Sequence, residues 1–191
     1  MDKKDFNIII TGAGGQGVMT LVDILANAAF VAGYDVKSSE LHGLSQRGGS
    51  VLTYVKMGEK IYSPLFGQGD ADLIIGLELL ETLRQVVFSS KKTDILVNKY
   101  FMPFIGITPE KEVIEGLEKA DKNNLYLVPA SDICKEKLQN EVVSGIYLIG
   151  YAIGKKLITI EKESVLQALK NIIPSKYLEL NINAFNLGHD N

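Results

Sequence analysis

Two glycine-containing segments hold the residues that are best suited to chemistry. The first, the glycine loop, consists of Gly12, Ala13, Gly14, Gly15, Gln16 and Gly17. Its glycines follow the spacing G-x-G-x-x-G, which permits a tight turn and a close approach of the backbone to a ligand. A helix that begins directly after such a loop offers free N–H groups and the positive end of its dipole to a phosphate. The pattern therefore indicates a phosphate or nucleotide site, or else a tight turn that serves geometry or protein docking.

The second segment, residues 40–50, carries a histidine and an arginine. It contains Glu40, His42, Gln46, Arg47, Gly48 and Gly49. The chain has 20 lysine and arginine residues, and only Arg47 and Arg84 among them are arginines. Against that bias, an arginine in front of two glycines indicates a need for the planar guanidinium group, which binds a carboxylate or phosphate in bidentate fashion or serves a partner interface.

His42 and Glu40 allow more than one interpretation. His42 could act as a proton shuttle or be a hydrogen-bonded loop histidine. No serine or cysteine nucleophile can be paired with it from the sequence, so acyl-transfer catalysis has no support. Glu40 stands 23 residues after Gly17, at the expected end of the second strand, where an acidic residue would bind a ribose hydroxyl of a dinucleotide.

Composition excludes several classes of site. The 191 residues include one cysteine, Cys134, and two histidines, His42 and His189. An iron–sulfur cluster usually needs four thiolates and a structural zinc needs four Cys or His ligands, so we expect no metal site in this chain alone. A disulfide framework is impossible with one cysteine, and a reducing cytoplasm is the expected location.

Net charge and hydropathy argue against further classes of partner and against insertion in a membrane. A net charge of −3 argues against a nucleic-acid or anionic membrane surface. We expect no targeting segment at the start, because the first apolar run is too short for one. The uncharged stretch 142–154 is too short to cross a bilayer and is interpreted as a buried helix.

The elements that position the two segments follow from hydrophobic periodicity. Residues 7–11 predict a buried strand, residues 18–32 a helix that ends near Gly33, and residues 36–40 a second strand. This βαβ unit should have parallel strands, so both segments should emerge at the carboxyl edge of the sheet. Residues 50–57 and 60–63 predict a hairpin around Gly58 and Glu59, with Pro64 closing an edge strand.

The rest of the chain continues the alternation. Strands are predicted at 72–77, 94–98 and 125–128, and helices at 78–87, 109–120, 141–156 and 161–172. Glu78 and Glu81 could share a metal, but acids more often favour the first turn of a helix. The fold expected is α/β, a three-layer α/β/α sandwich with a mostly parallel sheet and an attached antiparallel hairpin. No repeat or linker interrupts it, so residues 1–191 are expected to form one domain.

Several motifs together resemble a known family. They are the glycine loop, the segment 39–50, Tyr62-Ser63-Pro64-Leu65, Asp70-Ala71-Asp72, the segment 78–84 and Asn183-Ala184-Phe185-Asn186-Leu187-Gly188. Their order is similar to that of the gamma domain (domain III-like) of 2-oxoacid:ferredoxin oxidoreductases, over nearly the whole chain. Within that family, the chain most resembles the small beta subunits of the indolepyruvate type.

The resemblance implies a role in the coenzyme A-dependent oxidative decarboxylation of a 2-oxo acid, with electrons passed to ferredoxin. Thiamine diphosphate and the iron–sulfur clusters would belong to a large partner subunit, and this chain would hold no cofactor by itself. It would be inactive alone, and would complete a hetero-oligomer and help to enclose coenzyme A or substrate. The glycine loop and Arg47 would face phosphate or the partner, and His42 and Gln46 would line the shared cleft.

Two other functions stay open on the residues. The chain could be a free-standing Rossmann-like oxidoreductase that binds a dinucleotide through the glycine loop and Glu40. It could also be an interaction or regulatory module that uses the fold only as a scaffold.

Overall fold

The computed structural model describes residues 4–43, 48–103, 108–120 and 124–191. The strands in these ranges are β1 (Phe6–Ala13), β2 (Asp35–His42), β3 (Ser50–Gly58), β4 (Leu73–Gly76), β5 (Asp94–Asn98) and β6 (Leu125–Val128). The helices are α1 (Val18–Val31), α2 (Leu79–Gln85), α3 (Glu110–Ala120), α4 (Ala130–Leu138), α5 (Ser144–Gly154), α6 (Lys162–Ile172) and α7 (Ser175–His189). None of the helices described is long and apolar enough to span a membrane.

The strands form one sheet in the order β2-β3-β1-β4-β5-β6. Strands β1, β4, β5 and β6 are parallel, and β3 is antiparallel to both of its neighbours. The largest apolar core joins one sheet face to α1, α4, α5, α6 and α7, and a smaller core joins the other face to α2 and α3. The predicted α/β sandwich with a mostly parallel sheet is confirmed.

The predicted hairpin between residues 50–57 and 60–63 is wrong. Residues 60–63 form no strand, and Tyr62 among them is 81% exposed. Three successive residues of β3, Thr53, Tyr54 and Val55, are buried, so the strand is covered on both faces. It lies between β1 and β2, and the antiparallel hairpin that forms is β2–β3.

This insertion also changes the predicted βαβ unit. Strands β1 and β2 run in the same direction, because both are antiparallel to β3, but they are not neighbours. The end of α1 is as expected, since Gly33 has a φ of +77°, a left-handed conformation that suits glycine after a helix.

Two helices, α4 and α7, are absent from the sequence prediction. Helix α4 buries Cys134. Helix α7 contains the terminal motif 183–188 and packs against α5 through glycines. A Cβ atom on Gly188 would overlap the carbonyl oxygen of Tyr147, so the motif's glycine permits backbone-to-backbone contact.

Candidate functional site

The two glycine-containing segments meet through backbone hydrogen bonds. The Gly14 N–H donates to the Gly49 carbonyl at 2.8 Å, and the Gly48 N–H donates to the Gly14 carbonyl at 3.0 Å. This pair of bonds continues the β1–β3 ladder beyond the pairing of Ala13 with Ser50. The predicted meeting of the segments at the carboxyl edge of the sheet is confirmed for these residues, whereas Gln46 and Arg47 lie outside the residues described.

Three of the four glycines in the first loop have an identifiable geometric reason. Gly15 and Gly17 have φ values of +99° and +80°, which disfavour other residues. Gly12 sits close to its surroundings: a Cβ atom there would lie 3.0 Å from the Cβ of Leu77 and 3.1 Å from a methyl group of Val18. The loop therefore needs its glycines for its own shape as well as for any ligand.

The side chain of Gln16 closes the turn from within. Its Oε1 accepts a hydrogen bond from the Ala13 N–H at 2.7 Å, and its Nε2 donates to the Leu77 carbonyl at 3.4 Å. The amide group thus ties the glycine loop to the end of β4. Sequence reasoning placed Gln16 toward a ligand or partner, and the structure shows that its polar atoms are used inside the loop.

The N-terminus of α1 faces the same region. Gly17 is its N-cap residue, and within the described part of the chain no side chain caps the helix and no acidic residue lies in its first turn. The first N–H groups of an α-helix have no partner inside the helix, and they favour an anion. The glycine loop therefore presents backbone donors rather than charged side chains.

An open pocket of about 520 Å³ joins these features. It is lined by Ala13, Gly14, Gly15, Gly17, Val18, Met19, Glu40, His42, Gly43 and Val51, and we call it the glycine-loop pocket. His42 and Glu40 are exposed at the end of β2, with His42 Nε2 3.9 Å from Glu40 Oε1. His42 Nδ1 lies 3.2 Å from the Gly43 carbonyl oxygen, which fits the hydrogen-bonded loop histidine and leaves the second ring nitrogen accessible.

The dinucleotide interpretation of Glu40 gains no support from the topology. In a Rossmann unit the acidic residue ends the strand next to the glycine-loop strand. Here β3 separates β1 from β2, so Glu40 is displaced by one further strand spacing, and the two strands lie about 10 Å apart.

Two buried carboxylates brace the carboxyl edge from the other side of the sheet. Glu78 caps α2: its Oε2 accepts from the Glu81 N–H at 2.8 Å and its Oε1 from the Met102 N–H at 3.0 Å. Burial raises the pKa of Glu78 above its ordinary value. Glu81 accepts from Ser50 Oγ and from Arg84, each at 2.5 Å. The helix-turn interpretation of these acids is confirmed.

A metal is the weaker interpretation of the two acids. Among the residues described, no group of three or more His, Cys, Asp or Glu side chains could hold a metal ion. Both carboxylates are instead engaged by donors of the protein itself.

Some residues of this edge gave no signal in the sequence. Buried Asn98 ends β5, where its Nδ2 donates to Ser131 Oγ at 2.7 Å and its Oδ1 accepts from the Ser131 N–H at 3.1 Å. Tyr100 and Ser131 line a depression of about 130 Å³ beside the glycine loop. A polar residue at the end of a buried strand is the only pattern that could have drawn attention to Asn98.

Apolar side chains surround the glycine loop. A cleft of about 460 Å³, lined mostly by apolar groups, lies between the start of α1, the start of α5 and the α6–α7 connection. Met19, Tyr100, Val142 and Tyr177 are exposed around these depressions. Exposed apolar groups that cluster at one edge are typical of surfaces that meet another protein.

Comparison with known proteins shows similarity along the whole chain. The family described as Pyruvate ferredoxin/flavodoxin oxidoreductase matches residues 7–191. The chain is 31% identical to "Indolepyruvate oxidoreductase subunit IorB" of Pyrococcus horikoshii, covering 97% of this chain and 95% of that protein. It is 34% identical to the protein of the same name in Archaeoglobus fulgidus, covering 96% and 94%.

Solved structures share the fold. The gamma subunit of a keto/oxoacid ferredoxin oxidoreductase from Geobacter sulfurreducens aligns with a TM-score of 0.71 at 20% identity, covering 97% of this chain and 96% of that one. The 2-oxoglutarate:ferredoxin oxidoreductase of Magnetococcus marinus aligns with a TM-score of 0.76 at 21% identity, covering 99% of this chain but only 31% of that chain. The same fold therefore also occurs as one part of a much larger polypeptide.

Proposed function

Because the chain belongs to the pyruvate ferredoxin/flavodoxin oxidoreductase family and is a small, non-autonomous subunit of a 2-oxoacid:ferredoxin oxidoreductase, we propose that its complex oxidises indolepyruvate or a related aryl 2-oxo acid. The names of its relatives support this choice of substrate. Coenzyme A is the proposed cosubstrate and ferredoxin the proposed electron acceptor.

The chain's donor set does not fit the redox cofactors of such a reaction. Its one cysteine, Cys134, is buried, and four thiolates are the usual requirement of a cluster. We therefore assign thiamine diphosphate and the iron–sulfur clusters to a large partner subunit. The lone, buried thiol is also consistent with a reducing cytoplasm, where we place the complex.

The single observation that carries the proposed role of this chain is the junction of its two glycine segments. The bonds between Gly14 and residues 48–49 bring the first turn of α1, Glu40 and His42 around one open pocket. Backbone donors at the start of a helix suit a phosphate group. We propose that this side of the glycine-loop pocket receives a phosphate of coenzyme A, away from the carboxylate of Glu40.

We propose that the other polar residues of the second segment belong to the same site. Arg47 directly precedes Gly48, and its guanidinium group suits a phosphate or a carboxylate of the partner. His42 and Gln46 would line the cleft shared with the large subunit. The exposed apolar groups around the glycine loop would be covered by that subunit.

The substrate assignment is tested with the reconstituted complex. Reduction of ferredoxin is followed with indolepyruvate, pyruvate, 2-oxoglutarate and a branched-chain 2-oxo acid, each with coenzyme A. We expect the highest kcat/KM for indolepyruvate and no turnover by this chain alone. A preference for one of the three other acids would refute the substrate assignment, and turnover by the isolated chain would refute its non-autonomous role.

The site is tested by Arg47→Ala, with Lys37→Ala as the control cation. Lys37 is exposed on β2 and lies opposite Lys56 in the β2–β3 register. Its side chain is on the sheet face away from the pocket. Loss of a charged hydrogen bond corresponds to a roughly 10-fold or larger effect. We expect Arg47→Ala to raise the KM for coenzyme A or the dissociation constant of the complex by that factor, and Lys37→Ala to change neither. Wild-type values for Arg47→Ala would withdraw its role.

A further inference from the structure

The pair Glu78 and Glu81 is more than a capping device for α2. Their side chains are almost fully buried, at 1% and 4% exposure. A buried carboxylate is costly unless specific donors hold it. The donors in this case come from separate parts of the carboxyl edge, so the two acids connect elements that are distant in sequence.

Glu81 uses both of its oxygens. Oε2 accepts the hydroxyl of Ser50, which is 31 residues away in sequence, and Oε1 accepts the guanidinium of Arg84 on the next turn of α2. Arg84 balances the charge, while Ser50 attaches the helix to the first residue of β3. A glutamine could keep both contacts, because its Oε1 can accept from Arg84 while its Nε2 donates to the Ser50 hydroxyl, whereas a leucine of similar size keeps neither.

Ser50 connects Glu81 to the glycine-loop pocket through its neighbour Gly49. The carbonyl of Gly49, which shares a planar peptide unit with Ser50, accepts the Gly14 N–H. The Gly48 N–H donates to the Gly14 carbonyl. Gly14 is part of the pocket lining, so the wall of the pocket is linked to α2 through one side-chain hydrogen bond.

Glu78 fixes the position of Glu81 in turn. It accepts the Glu81 N–H with one oxygen and the Met102 N–H with the other. Met102 is two residues after Tyr100, which lines the neighbouring depression. Glu78 thereby ties the first turn of α2 to the segment around Met102, and Glu81 ties the same turn to Ser50.

We propose that Glu81 is a positioning residue: through Ser50 it holds the Gly48–Gly49 backbone, and with it Gly14, in the geometry that receives coenzyme A. This inference rests on the proposed function of the glycine-loop pocket. Glu81 touches no reacting atom in this role and acts only through this backbone. Its removal should therefore weaken the binding of coenzyme A and leave the chemical step unchanged.

The decisive variant is Ser50→Ala, because Ser50 is exposed and its loss removes the anchor while leaving Glu81 paired with Arg84. Ser50→Thr keeps the hydroxyl and serves as the conservative rescue. Glu81→Leu removes the acceptor of the Ser50 hydroxyl and is the second test. Ser38→Ala, an exposed serine on β2, is the control for the loss of a serine hydroxyl from the same sheet.

Two measurements distinguish positioning from general stability. Hydrogen exchange of the full chain reports on the Gly14 and Gly48 amides, and steady-state kinetics of the reconstituted complex separate KM from kcat. For Ser50→Ala and Glu81→Leu we expect about 10-fold faster exchange at these amides and about a 10-fold higher KM for coenzyme A, with kcat within 2-fold of wild type. Ser50→Thr and Ser38→Ala should match the wild type.

The outcomes keep this inference separate from the proposed function. An unchanged KM for coenzyme A in Ser50→Ala, or a fall in kcat without a rise in KM, overturns the positioning role of Glu81. Faster exchange across the whole chain in Ser50→Ala would show a purely structural effect and overturns it as well. A wild-type complex whose activity does not depend on coenzyme A refutes the proposed function first, and the positioning role with it.

Discussion

Replacing Gly150 by alanine adds one methyl group where α5 and α7 touch backbone to backbone. The new Cβ would overlap the Phe185 carbonyl oxygen, and would lie only 3.0 Å from the Phe185 carbonyl carbon and from the His189 nitrogen. Ordinary contacts between such atoms are at about 3.5–4.0 Å. Because the neighbours are helix backbone and not flexible side chains, α7 must move away from α5 by more than about 1 Å to restore ordinary contact with the Phe185 oxygen.

The magnitude follows from two opposing effects. Overpacking of this kind costs about 1–3 kcal/mol, and contact with backbone places the cost near the upper end. Alanine favours the helix over glycine by about 1 kcal/mol. The net loss of stability is therefore about 2 kcal/mol, which lowers the Tm of a domain of this size by about 4–8 °C.

The assay is thermal unfolding followed by circular dichroism, with Gly116→Ala in α3 as the matched control. The three atoms nearest to a Cβ on Gly116 all belong to the side chain of Leu83, the closest at 3.0 Å, and this side chain can rotate away. We expect Gly116→Ala to leave the Tm unchanged or to raise it slightly. If Gly150→Ala were as stable as the wild type, the tight α5–α7 contact described above would be refuted.

Three further predictions concern buried polar and titratable groups. Burial raises the pKa of Cys134 to about 11, so at pH 8 iodoacetamide should label the folded chain at least about 100-fold more slowly than the urea-unfolded chain, as measured by mass spectrometry; equal rates would contradict its burial. Burial also raises the pKa of Glu78, so the native state binds this proton more tightly than the unfolded state does, and this group's contribution to stability falls as pH rises through the raised pKa. The Tm of the wild type, relative to that of Glu78→Gln, should therefore increase when the pH is lowered from 7 to 5, and a constant difference would refute this. Gln16→Leu removes the acceptor of the Ala13 N–H and should lower the Tm by about 2–6 °C, whereas the exposed Gln167→Leu should not; equal Tm values for the two variants would contradict the closing role of Gln16.

The parts of the fold that follow from local patterns could be predicted. A strand that stops at glycines and an amphipathic helix behind them define the glycine loop within one stretch of sequence. The sequence also predicts that the segment 40–50 emerges at the same carboxyl edge as the glycine loop, because this requires only that β1 and β2 run in the same direction. That direction is correct, so the contact between Gly14 and Gly48 follows even though β1 and β2 are not neighbours.

The parts that depend on long-range pairing could not be predicted. The sequence of residues 50–58 does not predict that both edges of β3 are paired, because a hydrophobic pattern indicates which faces of a strand are buried and not which strands are its neighbours. Helix α7 depends on glycines that are useful only when α5 lies against them. The hydrogen bond of Ser50 to Glu81 joins residues with no periodic relation, and only the folded chain brings them together.

The central claim is that this chain is one part of an oxidoreductase whose cofactors lie in another subunit. The most direct measurement is purification of the affinity-tagged chain from its own host under anaerobic conditions, with identification of every bound protein and cofactor. We predict that it copurifies with a larger subunit that contains thiamine diphosphate and iron–sulfur clusters, and that this complex reduces ferredoxin with a 2-oxo acid and coenzyme A. Recovery of the chain alone, or of a cofactor-free complex without this activity, would contradict the claim.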